Sequence, residues 1–444
     1  MKRFPIYALL LGGLLTGFLS CSDSDGDGGG GGNGEGGGNG EGGGSEVVDS
    51  TDIAAMTPTE SKQYLETSAQ MVMDRFVPAE QEELITLANY FVNTYEDYDM
   101  PEEWNENDEA VYNPALTAMR TLAQAFRSGR YTRATQAVSA YRYAFADYAG
   151  VYEPGNGIWV KTAPQTDAII FRFPEGGVTC EVKATASADN YHYVYTEDNG
   201  DTRDIEVPKV ITLSITRGDR TLLSGNVQSA YSSTAHTLEA YTNISAMNVN
   251  LTNNLSATDD QVNEECEVYV NNERIVHTDA TVTGQNLCTQ AEIERIIREE
   301  DEDGLYALFN EGTAYTDILG RVQVKATLTD LGAFVDALNY DEYEGFNPDA
   351  EQGAQQAADK LNECLNAWVY YGGTSILQAT LQWQPNIYET ESWSGNNWWS
   401  PEAIIRFEAD GSTYSLESYF GEGRFANTED LFENLLDQYE AFWK

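Results

Sequence analysis

Strict alternation between apolar and polar residues constrains the fold of this chain more than any other feature. Between residues 321 and 328 every second side chain is apolar, and segments 211–215 and 377–383 repeat this pattern. Such strands bury one face and leave the other in water, which is typical of antiparallel sheets rather than of βαβ units. We therefore expect residues 154–444 to form an antiparallel, β-rich α+β region that ends in a C-terminal helix.

A helical period replaces this alternation in residues 47–153. The segment Thr57-Pro58-Thr59-Glu60 has the form of a capping box with proline at the first helical position. Three more helices are predicted behind it, and others at about 289–301, 330–340, 350–368 and 428–443. The predicted fold class is thus α+β: an N-terminal helical region followed by a long, curved, mainly antiparallel sheet with helices packed on one face.

The N-terminus has the three parts of an export signal. Lys2 and Arg3 precede an apolar run at residues 6–19, and Ser20 is a small residue before the expected cut. The run is shorter than the about 20 residues that span a bilayer, and no later stretch approaches that length. We expect residues 1–20 to be a removed signal peptide, with a retained signal anchor as the alternative.

Cys21 follows the expected cut directly. The segment LLTGFLSC resembles the lipobox of bacterial lipoproteins, although Phe18 stands where the family has Leu, Val or Ile. The next four residues resemble the acidic surface-export signal of Bacteroidetes lipoproteins: Ser22, Asp23, Ser24 and Asp25. The resemblance implies lipid on Cys21, which makes the membrane a partner of the chain, and a location at the outer membrane, on the cell surface.

Residues 21–46 contain the lipidation site and a Gly-rich tether. The tether is composed almost wholly of Gly, Asn, Glu and Asp, which cannot bury a core and give a flexible coil. A nucleotide-binding loop is excluded, because its glycines would have to lie between a strand and a helix. The tether would therefore only hold a folded body away from the membrane.

These features together resemble the uncharacterised lipoproteins of Bacteroidetes, which combine such a tether with a helical part and Asn/Thr-rich strands such as 241–256. Ser50, in Asp49-Ser50-Thr51, also resembles the O-glycosylation site of that phylum. The resemblance is specific only in the leader and the tether. It therefore implies no binding or catalytic residue in the body of the chain.

The charge of the chain limits its partners. It has 25 basic and 72 acidic residues, a formal net charge of −47. Such a surface repels nucleic acid and anionic lipid, because phosphate binding requires clusters of Lys and Arg. We expect no nucleic acid partner, and we attribute the charge to solubility, with a specific cationic ligand as the alternative.

Four cysteines follow Cys21, and they allow three pairings in an oxidising compartment: Cys180, Cys266, Cys288 and Cys364. Cys180 and Cys266 have the strand parity of neighbouring valines, and Cys364 lies on the predicted helix face of Leu361, Leu365 and Trp368. These three are typical of small buried apolar residues, so a pairing is not assumed.

No cofactor or metal site is predicted. The chain has no CxxC motif and only three histidines, which argues against a thiolate zinc site. Acidic clusters at 96–109, 299–304 and 339–351 lack the spacing of an EF-hand calcium loop. No GxSxG motif occurs either. We therefore predict that the protein is not an enzyme, and an unrecognised hydrolase is the less favoured alternative.

Residues 383–399 are the most suggestive stretch for ligand binding. They are predicted to form a polar loop with five aromatic residues: Trp383, Tyr388, Trp393, Trp398 and Trp399. Exposed aromatic faces beside amides can bind sugars or peptides. The alternative is a loop that folds back and plugs the sheet, with its Trp rings buried. Trp383 continues an apolar strand face and is expected to be buried in either case.

The function that these observations favour is a surface-tethered, non-catalytic binding or assembly protein for glycan or protein. A lipid- or lipoprotein-handling factor with an apolar groove is the alternative, on an analogy of fold alone. The sequence leaves the ligand and the oligomeric state open.

Overall fold

The fold is described from a computed structural model of the chain. The structure describes residues 53–94, 149–155, 158–187, 190–196, 202–289, 291–292, 308–338, 350–390, 397–420 and 425–440. The signal peptide, Cys21, the tether and Ser50 lie outside these residues. So do the third and fourth helices predicted for the N-terminal region, the acidic clusters at 96–109 and 299–304, and most of the cluster at 339–351.

A sixteen-stranded sheet dominates the described residues. The strands in chain order are β1 (Gly150–Gly155), β2 (Ile158–Pro164), β3 (Ala168–Glu175), β4 (Val178–Ala186), β5 (Asn190–Thr196), β6 (Thr202–Pro208), β7 (Val210–Arg217), β8 (Arg220–Ser232), β9 (Thr237–Ala246), β10 (Val249–Ala257), β11 (Gln261–Val270), β12 (Glu273–Gly284), β13 (Phe309–Ile318), β14 (Val322–Leu328), β15 (Leu365–Tyr371), β16 (Leu377–Thr390), β17 (Asn397–Phe407) and β18 (Thr413–Ser415).

The order of strands in this open sheet follows the chain closely. It runs from β18 to β7 without a gap and continues as β4-β3-β1-β2, while β5 and β6 form a separate hairpin. Every pairing is antiparallel except the one between β1 and β3. The predicted large, mainly antiparallel sheet is thus confirmed, and β1 begins at Gly150, slightly before the predicted boundary at 154.

The described helices are few. They are α1 (Pro58–Met73), α2 (Pro78–Thr94), α3 (Leu331–Leu338), α4 (Ala350–Cys364), α5 (Leu416–Phe420) and α6 (Ala426–Glu440). The predicted capping box at the start of α1 is confirmed. The Glu60 carboxylate accepts the Thr57 N–H at 2.9 Å, and the Thr57 hydroxyl accepts the Glu60 N–H at 3.4 Å.

One face of the sheet, here called the helix face, is apolar and packs against α1 to α5. It includes Val322, Val324, Ala326 and Leu328, the four apolar residues of β14, all of them buried as predicted. Each helix contributes large side chains to this face: Leu65, Phe91, Phe334, Leu361 and Tyr419. Because full burial of such a side chain stabilises by roughly 1.5–3 kcal/mol, this layer holds the helices on the sheet.

The opposite face, here called the polar face, is lined by amides, hydroxyls and carboxylates from β8 to β13, whereas Val151, Ala168 and Ile170 form a small buried apolar cluster on it at β1 and β3. Cross-strand partners point to the same side of a sheet, so the register defines its members. One row of partners across β9 to β13 is Tyr241, Asn254, Glu265, Asp279 and Tyr315. The alternation seen in the sequence therefore corresponds to an apolar face that lies under the helices and a polar face on the opposite side of the sheet.

The predicted helix at 350–368 is wrong in its last four residues. α4 ends at Cys364, and β15 begins at the next residue, Leu365. Leu365 and Trp368 therefore lie on a strand, and Trp368 pairs with Lys325 of β14. Cys364 and Leu361 lie on α4 and are buried, as predicted.

The four cysteines of the described residues are all free. Cys180 and Cys364 are buried as predicted, Cys288 is buried as well, and Cys266 is only half-buried. The pKa of the Cys266 thiol and the pKa of the Cys288 thiol are both raised to about 11, mainly by burial. These two groups therefore remain neutral thiols at physiological pH, which makes them poor nucleophiles and poor metal ligands.

Candidate functional site

A groove of about 700 Å³ crosses the polar face in the middle of the sheet. Its volume lies within the range of roughly 300–1,000 Å³ that is typical of ligand pockets. Its base is formed by β8 to β12, and Lys209 and Val210 lie at its β7 side. Ten of its lining residues belong to the polar face by their register, so the groove lies on the side of the sheet opposite the packed helices.

Two adjacent rows of cross-strand partners line the groove. The first row is Gln228, Tyr241, Asn254, Glu265 and Asp279. The second row is Ala230, Glu239, Ser256, Asn263 and Thr281. Eight of these ten side chains carry an amide, a carboxylate or an aliphatic hydroxyl, and a ninth is the tyrosine. The groove is therefore a surface for hydrogen bonding with one aromatic ring.

Hydrogen bonds among the lining side chains hold several of them in place. The Asn263 carbonyl oxygen accepts from Thr281 Oγ1 at 3.0 Å, and the Asn263 amide donates to Ser256 Oγ at 3.4 Å. The Tyr241 hydroxyl accepts from the Asn243 amide at 2.9 Å. A site whose polar groups are already oriented loses less conformational entropy when a ligand binds.

The charge in the groove is negative. Glu239, Glu265 and Asp279 contribute carboxylates, and Lys209 is the cation among the lining residues. Carboxylates accept hydrogen bonds but do not donate them when ionised, whereas the amides do both. The groove thus suits a neutral ligand with many hydroxyl groups better than an anionic one.

Glu264 also lines the groove, but as the cross-strand partner of Ala280 its side chain points toward the helix face. Burial raises the pKa of its carboxyl, while a hydrogen bond from the Asn253 amide at 2.9 Å opposes the shift. A carboxyl pKa raised by folding means that stability is lost as the pH rises through that pKa. The cost of placing this group on an apolar face is thus only partly offset by Asn253.

At the end of the first row of the groove, four side chains that can titrate or bind metal meet on the polar face. Glu265 and Glu267 of β11 lie next to His277 and Asp279 of β12, and the Glu265, Glu267 and His277 ligand atoms lie within 4.8 Å of one another. Two of the carboxylates, those of Glu265 and Asp279, also line the groove. The sequence interpretation named none of these four residues.

The residues around this cluster fix Glu267. Tyr269 donates its hydroxyl to Glu267 Oε2 at 3.1 Å, and Arg274 Nη1 lies 3.2 Å from Glu267 Oε1. The pKa of Tyr269 is raised, mostly by desolvation and next by its hydrogen bond to Glu267. The phenol therefore stays protonated as a donor, and Glu267 keeps one orientation.

The aromatic stretch at 383–399 is not a loop over its described length. β16 continues to Thr390 and β17 begins at Asn397, so Tyr388, Trp398 and Trp399 belong to the strands of one hairpin. Trp393 lies outside the described residues. As consecutive strand residues, 398 and 399 occupy positions that alternate between the two faces. The stretch also lies several strands away from the groove.

Trp383 was expected to be buried, and in the structure it is half-buried. Its ring packs edge-on against Phe334 of α3, with centroids 6.4 Å apart. Both its backbone N–H and its C=O bond to the side-chain amide of Asn362 in α4, each at 2.8 Å. Trp399 shares the parity of Ile405 on the helix face and is also half-buried, which favours the plug over the free binding surface.

We expect Trp399→Ala to lower the free energy of unfolding by about 1–3 kcal/mol, because a half-buried ring leaves packing contacts behind. Thermal or chemical denaturation measures this loss. Ile387→Ala is the control, since Ile387 is the cross-strand partner of Trp399 and is 39% exposed. A loss for Trp399→Ala within about 0.5 kcal/mol would instead indicate a ring free to contact a ligand.

No protein-family model matches this chain, and no curated protein sequence matches it. Among solved structures, a porin-like protein from Bacteroides vulgatus ATCC 8482 aligns with 52% of this chain and 94% of its own, at 8% identity and a TM-score of 0.19. Within the described residues, no helix is both long enough and apolar enough to cross a membrane.

Proposed function

We propose that this protein is a non-catalytic binding protein, attached by lipid on Cys21 to the outer membrane at the cell surface, which binds a glycan in the groove of its polar face. The observation that carries the proposal is the pair of polar rows around Tyr241. Sugars present hydroxyl groups around apolar ring faces. Amides and carboxylates bind the hydroxyls, and an amphipathic phenol ring can lie against the sugar ring.

A lipid-handling role has less support. Such a role requires an apolar groove between the sheet and its helices. Between α3, α4 and the sheet, that space is filled by buried side chains, among them Phe334, Leu361 and Ala326. The groove on the other face is lined by polar groups that an acyl chain would leave without partners, at a cost in free energy.

The proposal is tested by binding of the full-length protein to a panel of soluble neutral and acidic polysaccharides, measured by affinity electrophoresis and calorimetry. We expect retention by a neutral polysaccharide. Tyr241→Ala and Asn254→Ala should each weaken it about tenfold, equivalent to about 1.4 kcal/mol.

Tyr370→Ala is the matched control. Tyr370 lies on the same polar face in β15, outside the groove and beside Lys325. Its loss should leave binding unchanged. Retention by no polysaccharide in the panel, or equal weakening by Tyr241→Ala and Tyr370→Ala, would contradict glycan binding in the groove. The ligand of the proposed binding protein would then be a protein instead of a glycan.

A further inference from the structure

The arrangement of His277 on β12 differs from that of an ordinary surface histidine. The side chain is 14% exposed, and its Nε2 atom is buried with no hydrogen-bond partner among the described residues. Two carboxylate oxygens nevertheless lie close to this nitrogen: Asp279 Oδ2 at 3.2 Å and Glu265 Oε1 at 3.4 Å. A buried nitrogen between two carboxylates without a hydrogen bond to either requires an explanation.

The separations fit ligands that share one ion. Atoms bound at about 2.0–2.1 Å around a tetrahedral zinc ion lie about 3.3–3.4 Å from one another. The two distances from Nε2 are close to this value. Glu267 supplies a further carboxylate whose oxygen lies within 4.8 Å of the Glu265 and His277 ligand atoms.

The residues around the cluster orient one of its possible metal ligands in advance. Glu267 is held by Tyr269 and Arg274, and both hydrogen bonds leave its oxygens with further lone pairs. Hydrogen bonds from neighbouring residues that orient the ligands are typical of metal sites in proteins. Glu265 and Asp279 are about half exposed, so their carboxylates can shift to complete the coordination.

We infer that Glu265, Glu267, His277 and Asp279 form a binding site for a divalent transition-metal ion of the zinc type. The imidazole decides the class of ion, because calcium and magnesium prefer oxygen ligands alone whereas zinc binds imidazole together with carboxylate. The site adjoins the groove through Glu265 and Asp279. It stands independently of the proposed glycan, because it rests on contacts of its own.

The test uses the full-length protein and the metal alone. Calorimetric titration with Zn²⁺ should show saturable binding, and Ca²⁺ at the same concentration should not compete with it. His277→Gln should weaken Zn²⁺ binding at least about tenfold, because even the loss of a residue that only orients a ligand has effects of that size. Glu265→Gln and Asp279→Asn, at more exposed positions, should weaken it as well.

The control is His236→Gln. His236 Nδ1 lies 2.6 Å from Asp259 Oδ2, but among the described residues His236 belongs to no group of three converging ligand atoms, so it should not bind zinc. Its replacement should leave Zn²⁺ affinity unchanged. Equal Zn²⁺ affinity in the wild type, His277→Gln and Glu265→Gln would overturn the inference, as would competition by equimolar Ca²⁺. If His277→Gln does not fold, by circular dichroism, the Glu265 and Asp279 variants decide the question.

Discussion

Phe171→Ala should lower the free energy of unfolding by about 3–5 kcal/mol, the range found for large aromatic residues truncated in a core. Phe171 of β3 is 1% exposed, and three rings surround it. Phe91 of α2 packs edge-on with centroids 5.1 Å apart, Trp159 of β2 does so at 4.8 Å, and Tyr152 of β1 stacks at 5.2 Å. The substitution thus leaves a cavity between α2 and three strands.

Denaturant unfolding followed by tryptophan fluorescence and circular dichroism measures this loss. Val160→Ala is the control at a nearby position, because Val160 of β2 is 41% exposed. It should change the free energy of unfolding by no more than about 0.5 kcal/mol. Equal losses for the two variants would mean that α2 does not pack on this part of the sheet as described.

Cys21→Ala should abolish lipid attachment altogether. The expected cut lies directly before Cys21, and its thiol is the only one in the lipobox-like segment. Each buried CH₂ of an acyl chain contributes about 0.8 kcal/mol to membrane binding, so the loss of the chains should release the protein. Labelling of cells with a fatty-acid analogue, followed by membrane fractionation, measures both effects.

Cys266→Ala is the control for this experiment, since it also removes one cysteine but leaves the leader intact. It should be labelled and should fractionate with membranes like the wild type. Unchanged labelling or unchanged membrane association of Cys21→Ala would exclude the proposed anchor. The protein that carries the groove and the proposed metal site would then not be attached to a membrane through Cys21.

Local patterns predicted the elements whose signals lie within a few residues. The capping box at Thr57 and Glu60 was predicted to begin a helix because two side chains three residues apart satisfy each other's backbone groups. β14 was predicted because its alternation of apolar and polar residues is unbroken. In each case the local preference agrees with the burial imposed by the fold.

The boundary between α4 and β15 could not be predicted in the same way. The chain changes from helix to strand between Cys364 and Leu365 without a glycine or a proline. Leu365 and Trp368 continue the helical spacing, so local pattern alone extends the helix. The strand is selected instead by pairing with β14 and β16, which is a contact between distant residues.

The residues of the candidate site likewise divide into those that have a local sequence signal and those that have none. Tyr388, Trp398 and Trp399 drew attention because aromatic residues in a polar stretch are conspicuous, yet β16 and β17 extend through Pro385 and Pro401, which usually argue against a strand interior. The groove has no local signal, because its rows join residues from five strands.

The metal site did have a signal that the sequence interpretation missed. Glu-Cys-Glu at 265–267 and His-Thr-Asp at 277–279 flank the turn at Asn271 and Asn272, where φ is positive. A hairpin across that turn brings the alternate residues of both segments onto one face. Two short alternating runs around a hairpin turn would therefore have been sufficient to predict the cluster.

The strand order has a consequence for how the protein reaches its final form. From β8 to β17 every strand pairs with the strands before and after it in the chain, so most new strands close only a short segment, and longer connections precede only β13 and β15. Closing a short segment costs little chain entropy, and local contacts speed folding. An emerging chain can therefore add one hairpin after another without waiting for its C-terminus, and each unfinished sheet ends in a strand ready to accept the next.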